Sequence, residues 1–140
     1  MKTIAPVRLL KLALYADAAG SVALAAIQLI LPSQLADKLS LPAMLIIESG
    51  MFMAAYALLL VYLARARRVW AAAVQLVVVG NVVWAIACLA LAATPVISPS
   101  AAGFAFLAFH AVAVLLFAGL ERAGLRASVV AAPSRDLQFH

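Results

Sequence analysis

Asp17, Glu48 and His110 are ionisable residues set inside long apolar stretches of the chain. Insertion scales put an ionisable side chain at bilayer depth at about 2.5–3.5 kcal/mol. Residues kept at that cost need a partner or a task. Carboxyl groups there can anchor a cation or carry a proton, and an acid beside an imidazole can act as an acid–base pair. Tyr56, Asn81 and Gln28 add a phenol and two amides that can orient such groups, and Trp84 and Phe106 add aromatic walls. Two uses compete for these residues. One is hydrogen bonding between helices, which averages about 0.6 kcal/mol per bond. The other is a ligand site. Asp17 and Glu48 read as anchors, Asn81 and Gln28 lean toward holding helices together, and His110 stands between the two. The candidate binding set is Asp17, Glu48, His110, Asn81, Tyr56, Trp84, Gln28 and Phe106.

Other chemistry is not signalled. His110 is the one histidine in the apolar runs and His140 lies in the tail, so no metal site is expected. The single cysteine, Cys88, allows no intrachain disulfide and reads as a small packed residue. The chain has no phosphate loop, Gly-x-Ser-x-Gly elbow or His-Glu-x-x-His motif, and no cofactor is expected.

The elements that must position these residues follow from composition. Hydrophobic residues make up 69% of the 140 and charged residues 11%, with a mean hydropathy of +1.17. Soluble domains run at about 45–50% apolar and about 25% charged, so the chain reads as an integral membrane protein. A soluble enzyme, a disulfide scaffold, a disordered chain and a nucleic-acid-binding domain are excluded. Four runs are long enough for the ~20 residues a spanning helix needs: about 9–31, 42–64, 69–93 and 101–120. Pro32-Ser33 closes the first, and a polar link through Asp37, Lys38 and Ser40 follows. Pro42 opens the second helix, Arg65, Arg67 and Arg68 form a basic turn, and Thr94-Pro95 closes the third. Residues 1–121 form one transmembrane domain, and 122–140 a basic cytoplasmic tail, partly disordered. Ala16-Asp17-Ala18 resembles a cleavage site, but Lys11 interrupts the short apolar stretch before it. An uncleaved first helix is the expectation.

Of ten Lys and Arg residues, Lys38 alone falls in the loops of one membrane face. That bias predicts an antiparallel four-helix bundle with both termini cytoplasmic, and it accounts for the net charge of +5 without nucleic acid. Tyr62 and Trp70 fit the cytoplasmic boundary. Helical phase puts Asp17, Ser21, Leu24 and Gln28 on one face of the first helix, and Asn81, Trp84 and Cys88 on one face of the third. Gly103, Phe106, His110, Phe117 and Glu121 share a face of the fourth. On the second, Glu48, Phe52, Ala55, Leu59 and Tyr62 align. These faces are expected to point inward, with Asp17, Tyr56, Asn81 and His110 at mid-membrane and Glu48 nearer the outer side. The near-equal spacing of Asp17 to Glu48 and of Asn81 to His110 suggests a faint parallel duplication.

Several short motifs resemble those of small bacterial four-helix membrane proteins of the DoxX-like kind. They are Asp17-Ala18-Ala19-Gly20, Leu41-Pro42, Asn81-Val82-Val83-Trp84 and Glu121-Arg122-Ala123-Gly124-Leu125-Arg126, within residues 8–126. The resemblance implies a bacterial inner-membrane location. It also implies either partnership with redox or stress systems or, as in distant relatives, a sterol-like ligand held by intramembrane acids. The leading expectation is a protein that binds a lipophilic, cationic small molecule, with proton-coupled transport as an extension. The alternatives are an accessory subunit of a larger membrane complex and a membrane enzyme pairing Asp17 or Glu48 with His110 on a lipid-like substrate. Membrane lipids are the expected surroundings. A homodimer is expected through the small-residue pairs Ala19 with Ala23 and Gly50 with Ala54.

Overall fold

The computed structural model describes residues 2–130. In chain order the elements are β1 (Thr3–Ile4), α1 (Arg8–Ile30), α2 (Pro32–Leu39), α3 (Ala43–Arg65), β2 (Val69–Trp70), α4 (Ala71–Ala93) and α5 (Ala101–Val130). The helices α1, α3, α4 and α5 are each long and apolar enough to cross a membrane. Their outer surfaces carry many exposed large apolar residues, among them Leu58, Leu76, Ile86 and Leu116, as a multi-pass membrane protein requires. α1 packs against α3 and α5, and α5 packs against α4.

Two ends of the helix assembly are tied by short-range chemistry. At one end β1 pairs antiparallel with β2, Ile4 opposite Val69, so the N-terminal segment is stitched to the α3–α4 connection. Ser128 of α5 reaches the same end. Its hydroxyl accepts from the Val7 N–H at 3.0 Å and donates to the Gly124 carbonyl at 2.7 Å. At the other end Ser100 caps α5, its hydroxyl accepting from the Gly103 N–H at 3.1 Å. The same hydroxyl donates to the Lys38 carbonyl at 2.7 Å, and the Ser100 N–H donates to the Leu39 carbonyl.

The expected polar link after the first long helix folds as the eight-residue helix α2, with Pro32 in its first turn. Proline is favoured there because its missing N–H is unneeded. Leu39 is buried, with Leu35 and Ala36 packed on the same apolar cluster, so the segment gains a core-facing side. The last long helix does not end near residue 120. It continues to Val130 because Glu121, Gly124, Leu125 and Ser128 form a buried stripe at helical spacing while Arg122 and Arg126 point outward. Residues 131–140 of the expected tail lie outside the described residues.

Two apolar clusters hold the assembly. One gathers Ile4, Leu10, Leu14, Ala18, Leu60, Leu63, Val69, Val74, Val77 and Leu125 near the β1–β2 end. The other gathers Leu39, Leu41, Ile46, Ala85, Cys88, Leu107 and Ala111 near α2. A polar layer interrupts them.

Candidate functional site

The polar layer is built from one residue of each long helix. Asp17 stands nine residues from Arg8 at the start of α1, and Tyr56 nine from Arg65 at the end of α3. Asn81 stands ten from Ala71 at the start of α4, and Glu121 nine from Val130 at the end of α5. At ~1.5 Å of rise per residue, all four lie about 14 Å from the same end. Shared depth brings them together.

Asn81 is the centre. Its amide nitrogen donates one hydrogen to Asp17 Oδ2 at 2.9 Å and the other to Glu121 Oε2 at 3.1 Å. The Tyr56 hydroxyl lies 3.0 Å from Asn81 Oδ1 and 3.3 Å from Asp17 Oδ2, and its single proton serves one of them at a time. The Ser21 hydroxyl donates to Asp17 Oδ1 at 3.4 Å. Asp17 and Asn81 are 2% exposed and Glu121 is fully buried. Glu121 Oε1 has no partner. Among the described residues, no Lys, Arg or His side chain bonds to either carboxyl group. Two acids therefore share one amide with no cation beside them. A proton or a cationic guest is what can balance such a site.

A small, partly open cleft of about 50 Å³ lies beside this layer. Phe52, Met53 and Tyr56 of α3 line it on one side, and Gly80, Asn81 and Trp84 of α4 on the other, with Ser21 and Val114 completing it. Its surface is almost wholly apolar; Ser21, Tyr56 and Asn81, all bonded to Asp17, belong to its wall, and the carboxyl groups stand behind them. Phe52 stacks in parallel on Trp84, with centroids 5.2 Å apart, and lies near-parallel to Tyr56 at 6.1 Å. These three rings bridge α3 and α4. Trp84 Nε1 is buried without a partner, an unused donor in the cleft wall.

The remaining candidates lie elsewhere. Gln28 accepts from the Ser49 hydroxyl at 3.0 Å, some eleven residues along α1 from Asp17. His110 is buried, but it stands eleven residues from Glu121 on α5, about 16 Å away. Its Nδ1 bonds the Phe106 carbonyl at 3.0 Å, its ring rests against Phe106, and its Nε2 has no partner. His110 and Phe106 are thus outside the layer in which mid-membrane depth had placed the histidine. Glu48 is exposed on α3 and is not brought to Asp17. The face of α3 that turns inward carries Ile46, Gly50, Met53, Ala57 and Leu60, not the Glu48–Phe52–Tyr62 stripe. Glu48→Gln is accordingly expected to shift stability by no more than ~0.5 kcal/mol. Thermal unfolding in detergent reads this, and a clear destabilisation would place Glu48 in a buried network.

Glu121 is the residue that sequence reasoning underweighted. Its phase with His110 and Phe117 signalled an inward position, but it fell just past the expected helix end at residue 120, beside the arginines of the tail. Among the described residues no three His, Cys, Asp or Glu side chains gather as they would around a metal ion. Compared with known proteins, no family model, no curated protein and no solved structure matches the chain.

Proposed function

We propose that this chain is a multi-pass protein of a bacterial inner membrane that binds a lipophilic cation in the cleft between α3 and α4. The carrying observation is the Asn81 amide held between two buried carboxyl groups at the base of an aromatic-walled cleft. The aromatic rings supply apolar area and cation–π attraction for a lipophilic cation. Asp17 and Glu121 supply the opposing charge from behind the wall that Ser21, Tyr56 and Asn81 form. Under the DoxX-like resemblance Asp17 keeps its role as acidic anchor, and Glu121 takes the place expected of Glu48.

Tetraphenylphosphonium is a suitable probe, because its charge is permanent and its phenyl rings match the lining. The double variant Asp17→Asn/Glu121→Gln is expected to bind it at least tenfold more weakly than the parent, about 1.4 kcal/mol. Glu48→Gln is expected to bind it as the parent does. Equal affinity in parent and double variant would refute the reading and leave the accessory-subunit alternative in its place.

Orientation follows from charge. Lys2, Arg8, Lys11, Arg65, Arg67, Arg68, Arg122 and Arg126 gather at the β1–β2 end, and Lys38 belongs to the other. The four long helices then form an antiparallel bundle with that end cytoplasmic. In a Cys88→Ala background, a cysteine at Asp37 is expected to label from outside the cell, and one at Arg67 is not. The reverse pattern would overturn the topology.

A further inference from the structure

We propose that the Asp17–Glu121 pair carries one proton when the cleft is empty and gives it up when a lipophilic cation binds. This rests on the binding reading above and names the exchange that accompanies it.

The geometry is unequal for the two acids. Asp17 can accept from three donors: the Asn81 amide, the Tyr56 hydroxyl and the Ser21 hydroxyl. Glu121 accepts from one, the second Asn81 hydrogen, and its Oε1 meets none. A carboxylate is stabilised by the donors aimed at it, so Asp17 is the better-supported anion and Glu121 the natural holder of a proton. The two groups are also held side by side, because both accept from the one Asn81 amide nitrogen, at 2.9 and 3.1 Å.

The surroundings offer no other counter-charge. From α3 the facing titratable group is Tyr56, and α4 contributes the uncharged Asn81. On α1, Lys11 is half-buried and Tyr15 is exposed; on α5, Arg122 is exposed and His110 is three turns away, bonded to Phe106. None of these bonds to either carboxyl group among the described residues.

The exchange conserves charge. An empty site holds one proton on two carboxyl groups; a filled site holds one monovalent cation beside two carboxylates. The O–H bond of the pair breaks, the proton passes to water, and the cation replaces it. Asp17 connects the pair to the cleft, because Ser21 and Tyr56 both bond Asp17 and both line the cleft wall.

The test is a proton count. Tetraphenylphosphonium is added to the purified protein in detergent, in weakly buffered solution with an indicator dye, and protons released per bound cation are measured. Close to one is expected for the parent. For Glu121→Gln the ratio is expected to fall toward zero for whatever cation it binds. A second readout needs no variant: the infrared band of a protonated carboxyl group should disappear from the parent when the cation binds. Binding without proton release, with that band unchanged, overturns the exchange and leaves the cleft reading standing. Equal release per bound cation by parent and Asp17→Asn/Glu121→Gln moves the proton off this pair and overturns it as well. Absence of binding by the folded parent refutes the cleft reading and the exchange together.

Discussion

Asn81→Leu is expected to destabilise the protein by about 2–4 kcal/mol, far above the ~0.6 kcal/mol average of an interhelical hydrogen bond. The reason is that Asn81 serves two acids and a phenol at once. Its removal leaves Glu121 with no donor and Asp17 dependent on longer bonds to Tyr56 and Ser21. Each buried polar group left unsatisfied costs about 1–3 kcal/mol. Non-additivity identifies the cause. In a background of Asp17→Asn/Glu121→Gln, the same Asn81→Leu change should cost clearly less, because the groups it strands no longer carry charge. Thermal unfolding of the four proteins in one detergent measures both effects. An equal cost in both backgrounds would mean that Asn81 acts by packing alone.

Gly124→Leu is expected to separate α1 from α5 and to prevent recovery of folded protein, and Gly124→Ala to cost about 3 kcal/mol or more. A Cβ at Gly124 would lie 2.7 Å from the Leu10 Cα and 2.8 Å from its nitrogen. Those are backbone atoms, so no side-chain rotation relieves the clash. Helices in membranes approach this closely only through such small residues. Gly119, with nothing within 4 Å of a built Cβ, is the control. Gly119→Ala should be neutral or stabilising by up to ~1 kcal/mol, from helix propensity. Yield and apparent melting temperature of the three variants decide the matter. A Gly124→Ala protein as stable as the parent would show that this contact is looser than described.

The long helices were legible because apolar runs bounded by proline and arginine leave few other readings. The inward face of α1 was legible as well: Asp17, Ser21 and Gln28 are buried on it. The inward face of α3 was not. In a helix apolar all round, hydrophobicity does not say which side meets protein and which meets lipid. The acidic and aromatic stripe through Glu48 and Phe52 therefore looked more informative than it was. The better signal was Gly50, where a built Cβ would meet Gln28 and Leu29 at 3.1 Å. That glycine is used against α1 within the chain, which removes it from the small-residue surface expected to form a dimer. Glu121 was obscured by its neighbours. Arg122 and Arg126 suggested solvent, yet one position away on a helix is a different face. Once α5 is extended, Glu121 falls at the depth of Asp17, which no spacing within the shorter helix could show.

In the proposed reading a lipophilic cation sits in the α3–α4 cleft against the Asp17–Asn81–Glu121 layer. Crystals grown with tetraphenylarsonium, the heavy-atom counterpart of tetraphenylphosphonium, test it in one measurement. An arsenic anomalous peak is expected at the mouth of the α3–α4 cleft, against the stacked Phe52 and Trp84 rings and beside Tyr56. A peak on the outer surface near Glu48, or density for the cation everywhere except that cleft, would contradict it.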